Sequence, residues 1–437
     1  MPAMSRLAAI LAAALLALAA CGGPAPSASP TPAASSAPTA TPIASPTATP
    51  SAAPTPAPSG DTAAIYRAIQ DQVIAERGLE AKQRLVPTIL SEPELRARIE
   101  EKFRTTTSAD KIAVAEATLK ALGLLPAATS LDDLYIELMG SQVAGFYDVE
   151  ADELFVVSRS GTIGAVEKMI FGHEFTHALQ DQNFGLEGID VDAVGQGDRS
   201  LGRLALVEGD ATLLMTRWLV ENLTAAEIGE LLKVDTEGQA QFEKMPAVLR
   251  ETLLFPYQQG LIFVNGIWAR GGWEAVNRAF ARLPDSTEQV LHPEKYDAGE
   301  KPVEVRLDAA ALAKAMGAGW TETPEDTFGE FQLSVWLREN GVESLPAGVA
   351  AAGWGGDRLA YLRGPNGAYA LLIATTWDSA ADATEFLAAA TTATGNLPGA
   401  ARASQAVQRG GENRSVWLFA ASDAATRDHL AEAVFGG

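Results

Sequence analysis

His173-Glu174-Phe175-Thr176-His177 lies inside a run, residues 165–182, that reads as one helix stopped near Asn183 and Gly185. Residues four apart share a helix face, so both imidazoles can reach a single metal ion. Val166, Met169, Ile170, Phe171, Phe175 and Leu179 supply apolar cover around them. A dry wall strengthens the electrostatics of a metal site. Glu174, one residue past the first imidazole, is placed to take a proton from a zinc-bound water rather than to bind zinc. The chain has only 4 histidines. The one good pair is committed here, so Ser/His/Asp catalysis has no support.

Two imidazoles leave a tetrahedral zinc one protein ligand short, with the last position for water. No cysteine is free for this role, and His292 and His429 are distant along the chain. A carboxylate is therefore expected. Glu208 is the best placed, in Ala205-Leu206-Val207-Glu208-Gly209-Asp210-Ala211-Thr212, within an otherwise apolar helix that includes Leu201, Leu204, Leu213, Leu214 and Met215. A buried carboxylate needs a cation or hydrogen bonds, and zinc supplies the first. Glu187, Asp190 and Asp192 are rival ligands in the Gly- and Asp-rich loop 185–197.

Upstream of the HExxH helix, residues 142–147 and 153–158 are β-like runs joined by Asp148-Val149-Glu150-Ala151-Asp152, which predicts a hairpin. Before it, residues 61–78, 92–123 (with a break near 105–108) and 131–139 read as helices. Downstream, Asp198 is a candidate cap for a helix to about residue 223. Thr224-Ala225-Ala226-Glu227 has the capping-box pattern and starts another. Residues 241–255, 258–270 and 273–283 read as three further helices, and 284–302 as a polar loop. Helices return at 308–316 and 328–340. From about residue 341 the texture changes to strands at 358–363, 368–376 and 414–420, with helices at 380–391 and 424–435.

The order of hairpin, HExxH helix and a later helix bearing a glutamate resembles the gluzincin branch of the zincin metallopeptidases. Ala144-Gly145-Phe146-Tyr147-Asp148, HEFTHALQDQ from His173, LVEGDA from Leu206 and STEQVLHPEKY from Ser286 resemble more closely a group of bacterial and archaeal gluzincin-like proteins. The likeness spans roughly residues 142–302. It implies a zinc peptidase with Glu208 as third ligand. It also implies that strand 153–158, or its partner, is an edge along which a peptide substrate pairs. Two departures stand out. Better-known gluzincins carry an Asp four residues after the ligand Glu, which orients a zinc-bound His; here that position is Thr212. Asp210, two residues on, points to roughly the other side of a helix, and Asp181, one turn after His177, is the other candidate for that role. The gap from His177 to Glu208 is also longer than in the compact families, and loop 185–197 absorbs it.

Peptide hydrolysis needs a donor for the developing oxyanion. His292 and Tyr296, on the polar loop after the helical region, are the expected candidates.

The first sixty residues have a different character. Residues 1–20 carry Arg6 and then an apolar run of signal-peptide length, ending Leu18-Ala19-Ala20-Cys21, which resembles a bacterial lipobox. Cys21 is the only cysteine, so no intrachain disulfide is possible, and lipidation accounts for the thiol. Residues 21–60 are a Pro/Ala/Ser/Thr-rich tether that cannot bury a core and reaches on the order of 100 Å if polyproline-like. The net charge of −22 repels phosphate backbones, which argues against nucleic acid, and gives no help with anionic lipid. Membrane attachment therefore rests on Cys21.

The sequence thus predicts an α+β protein. A zincin-like, mainly helical catalytic domain with a small sheet spans 61–340, and a small α+β domain without obvious chemistry spans 341–437. The expected activity is hydrolysis of an extracytoplasmic protein or peptide by zinc-activated water, with Zn²⁺ on His173, His177 and Glu208, and Glu174 as base. A non-catalytic zinc-binding or scaffold lipoprotein is the alternative; Glu174 argues against it, since zinc binding alone requires no base there.

Overall fold

A computed structural model describes residues 60–142, 145–157, 163–233, 242–397, 404–409 and 411–436. The expected signal segment, the lipobox and most of the tether lie outside the described residues. Helix α1 (Gly60–Arg77) leads to strand β1 (Thr88–Leu90), then α2 (Glu92–Thr106), α3 (Ala109–Ala121) and α4 (Leu131–Gln142). The break between α2 and α3 falls where the sequence places it. Ser108 caps α3, its Oγ accepting from Lys111 N at 3.3 Å. Strands β2 (Gly145–Asp148) and β3 (Glu153–Val157) form the expected hairpin.

β1, which the sequence reading missed, pairs parallel with β3, so the three-stranded sheet has the order β1-β3-β2. β3 is therefore the centre of this sheet and offers no edge to a substrate. The edge strands are β1 and β2, and β2 is the edge that meets Glu174.

Next come α5 (Ala165–Phe184), α6 (Gly197–Asn222) and α7 (Ala225–Leu231). Gly185 ends α5 at φ 72°, a left-handed conformation that favours glycine. α8 (Ala247–Phe280) runs through what the sequence divides into three helices. Pro256 sits inside it without ending it, because one face of the helix is buried against α6 and tertiary packing overrides propensity. Only the second division is real in backbone terms: Gly271 and Gly272, the latter at φ 61°, kink the helix.

α6 and α8 cross at glycine. A Cβ on Gly209 would lie 2.3 Å from the Gly260 carbonyl oxygen, and one on Gly260 would lie 2.2 Å from that of Ala205. Two bare backbones thus touch beside Glu208, which precedes Gly209 on α6.

The polar loop contains two short helices, α9 (Thr287–Leu291) and α10 (Pro293–Ala298), followed by α11 (Ala309–Met316). The last region has β4 (Thr321–Glu322), α12 (Gly329–Glu339), α13 (Ser344–Ala351), β5 (Trp354–Arg363), β6 (Tyr369–Trp377), α14 (Ala380–Asn396), β7 (Ser404–Arg409), β8 (Ser415–Ala421) and α15 (Ala424–Phe435). Its antiparallel sheet has the order β4-β5-β6-β8-β7. Alternate residues face opposite ways. Leu359, Tyr361, Leu371 and Ile373 pack toward α12–α14, whereas Ala360, Leu362, Ala370 and Leu372 pack toward α11 and α15.

Two observations bear on the boundary expected at residue 341. β4 pairs with β5, so the sheet already includes residues 321–322. The sheet face of Leu359 and Ile373 also belongs to the same apolar core as Leu95, Ile99, Phe103, Leu119 and Tyr135 of α2–α4, with Trp336 between them. The Trp336 indole N–H donates to the Leu122 carbonyl at 3.1 Å. The architecture is α+β with two small sheets, and none of the described helices is long and apolar enough to cross a membrane.

Gly260→Ala forces a methyl group into the Ala205 carbonyl, which only helix separation relieves. It should destabilise the protein by about 1–3 kcal/mol, measured as a lower urea midpoint. An unchanged midpoint would contradict the crossing.

Candidate metal centre

α5 carries His173, Glu174 and His177 on its most buried stretch, and α6 brings Glu208 against them. His173 and Glu208 are 0% and 1% exposed. The two Nε2 atoms are 3.1 Å apart, and Glu208 Oε2 lies 3.3 Å from each. Such a triangle has its centre about 1.9 Å from every corner, close to zinc's ordinary 2.0–2.1 Å distance to imidazole nitrogen. Glu208 Oε2 receives no hydrogen bond of ordinary geometry, although it is fully buried. An orphaned carboxylate oxygen facing two ring nitrogens in a dry interior is a donor set that fits a divalent cation.

The electrostatics agree. Burial would raise the Glu208 carboxyl, yet His177 and His173 hold it down at about 2. Burial would lower His177, but the Glu208 charge outweighs it and lifts the imidazole to about 9.

Glu174 does not join the triangle. Its Oε2 accepts from the Tyr147 backbone N–H at 3.0 Å, so the open edge of β2 holds the carboxylate in place. Its Oε1 is buried and has no partner. Burial pushes its pKa up, more than the two histidines pull it down. A carboxylate fixed by one oxygen, free at the other and raised in basicity can accept a proton.

Behind His177 stands a buried polar chain. His177 Nδ1 is 2.9 Å from Gln180 Oε1, and Gln180 Nε2 donates to Asp210 Oδ2 at 2.8 Å and to the Val207 carbonyl at 2.9 Å. Asp210 in turn accepts from Arg77 Nε at 2.9 Å, both side chains being fully buried. Asp210 is thus reached through Gln180 rather than pointing at a histidine. Asp181 is elsewhere, accepting from the Tyr147 hydroxyl at 3.0 Å and from Leu186 N at 2.8 Å.

His292 and Tyr296 are not brought to the triad. His292 Nε2 lies 2.9 Å from Glu330 Oε1 on α12. The Tyr296 hydroxyl donates to the Arg282 carbonyl at 2.7 Å, and its ring packs edge-on against Phe263. Both brace the α9–α10 turn, a structural duty that a polar loop does not reveal in sequence. The phenol beside the site is Tyr257 of α8. It is buried, its ring centroid is 6.4 Å from that of His173, and its hydroxyl hydrogen-bonds the Glu208 carboxylate. No sequence signal near HExxH points to it, because α8 reaches the site only through the glycine crossing. The rivals Glu187 and Asp190 are exposed and Asp192 half-buried, outside the triad. A second acidic group, Glu288, Glu300 and Asp378, surrounds the Lys295 ammonium at 2.6, 3.0 and 2.5 Å, so the protein supplies its own cation there.

A family model described as a domain of unknown function (DUF8575) matches residues 316–431. That stretch holds the five-stranded sheet and none of the triad. No curated protein and no solved structure matches the chain.

Glu208→Ala removes one corner of the triangle. Zinc retained after dialysis should fall from about one equivalent to a small fraction of one, read by elemental analysis. Full retention would exclude Glu208 as a ligand.

Proposed function

We propose that the protein is a zinc-dependent peptidase of the gluzincin-like zincin type, exported and held to a membrane by a lipid on Cys21. The observation that carries this reading is the convergence of His173, His177 and Glu208 next to a separately held Glu174 with one free oxygen. A site needed only for binding would have no use for that second carboxylate. Bound zinc would supply Lewis acidity, sharpening the acidity of a water and polarising a peptide carbonyl.

The chain's own groups do the rest. His173, His177 and Glu208 hold the ion. Glu174 Oε1 takes the proton of the attacking water and returns it to the leaving amine. The Tyr147 N–H keeps Glu174 from swinging toward the ligands. Tyr257, kept neutral because burial raises its phenol, stands beside the site and is assigned to the developing oxyanion, its hydroxyl leaving the Glu208 carboxylate to reach it. Substrate is an extended peptide laid along the open edge of β2 by backbone pairing. Loop 185–197 and the C-terminal region lie outside this chemistry.

Glu174→Gln should keep its zinc and lose peptide cleavage by about 10²–10⁴, followed with a fluorogenic peptide library on the soluble part from residue 60. Equal cleavage by both proteins would remove the proposed base. Tyr257→Phe should lower kcat by about 10²–10³ with little change in KM. An unchanged kcat would take the oxyanion role from Tyr257.

A further inference from the structure

We propose that Gln180 is a positioning residue for the metal centre, with its amide locked by Asp210 and Arg77 so that His177 presents Nε2 to the ion. The inference rests on the zinc reading of the triad. It assigns a role to three buried residues that the reaction itself does not touch.

An amide side chain has two ends, and here only one orientation satisfies its surroundings. Gln180 Nε2 faces two acceptors, the Asp210 carboxylate at 2.8 Å and the Val207 carbonyl at 2.9 Å. Both of its hydrogens are used. Turned the other way, the amide oxygen would face two oxygens and its NH₂ would face the ring, setting acceptor against acceptor at Asp210 and Val207. Oε1 must therefore point at His177 Nδ1, 2.9 Å away. Only an Nδ1–H can meet it, so the neutral ring carries its lone pair on Nε2, the corner of the triangle.

The lock has its own anchor. Asp210 is 0% exposed, and a buried carboxylate keeps its charge only against a cation. Arg77 provides it, with Nε at 2.9 Å and Nη2 at 3.2 Å, and spends its remaining arm on Asn277 at 2.7 Å. The Trp273 ring lies 4.7 Å from the guanidinium. Arg77 is the last residue of α1, the first described helix after the Pro-rich stretch. Docking of α1 is thereby coupled to the orientation of a ligand on α5. His173 has no such support: its Nδ1 is buried without a partner. The two imidazoles are unequal, and His177 is the one whose direction is fixed from behind.

The test measures zinc affinity by chelator competition, the visible spectrum of the Co²⁺-substituted protein and the imidazole ¹⁵N–¹H correlations of the zinc-loaded protein. In the wild type, His177 should show a slowly exchanging Nδ1–H and a zinc-bound Nε2. Gln180→Met, close in size but unable to accept, should bind zinc about 10–100-fold more weakly, with altered Co²⁺ bands and an apo thermal midpoint near that of the wild type. A wild-type His177 bound through Nδ1, or a rapidly exchanging Nδ1–H, overturns the proposal even if the variant does not fold. Equal zinc affinity and identical Co²⁺ spectra in the folded variant also overturn it, while leaving the triad as a zinc site. Failure of the wild type to bind zinc at all removes both this proposal and the peptidase reading.

Discussion

Glu208 sits in the interior with a carboxylate oxygen that no protein donor satisfies, facing two imidazole nitrogens at 3.3 Å. Burying such a group uncompensated costs several kcal/mol, and the fold spends much of its structure on making that burial possible. α5 and α6 must approach within side-chain reach at one level. α8 must back α6 closely enough to deliver Tyr257, which is why glycines meet at 209 and 260. Asp210, two residues from the ligand, would be a second buried charge of the same sign without Arg77. The centre is thus assembled by three helices from distant parts of the chain, with a fourth, α1, neutralising the charge behind it.

Much of this was legible in the sequence, and the reasons for the rest are specific. The HExxH spacing and the glutamate in the apolar middle of the next long helix identify His173, His177 and Glu208, which the fold brings together, because helical periodicity converts directly into a shared face. Gln180 was within the same reach: it is three residues after His177, on the same side of α5, and its amide needed only to be weighed beside the acids. Tyr257 was not, since its place depends on a helix crossing that no local pattern announces. His292 and Tyr296 misled for the opposite reason. Their residue types suit catalysis, but hydrogen bonds to Glu330 and the Arg282 carbonyl occupy them.

The same contrast governs the elements. Strongly patterned helices fell within a few residues of their expected bounds. β1, three residues long, and α13, built from Ser344-Leu345-Pro346-Ala347-Gly348, carry too little pattern to register and are fixed by what packs on them. The division of α8 at Pro256 failed because burial of one face against α6 held the helix together, whereas the division at Gly271 and Gly272 survives as a kink. Where tertiary contact outweighs local preference, the local signal loses.

One apolar core joins α2–α4 to the sheet face carrying Leu359 and Ile373, and the Leu122 carbonyl meets an indole 214 residues further along. Ribosomes deliver the N-terminal partner first. Helices α2–α4 must therefore exist for most of synthesis with their apolar sides uncovered, waiting for Trp336 and the strands that follow. Contacts of such long sequence separation slow folding and leave sticky surface exposed in the interval. The match to residues 316–431 thus marks more than an appended module in this chain: without that region, the roof over the N-terminal helices never closes.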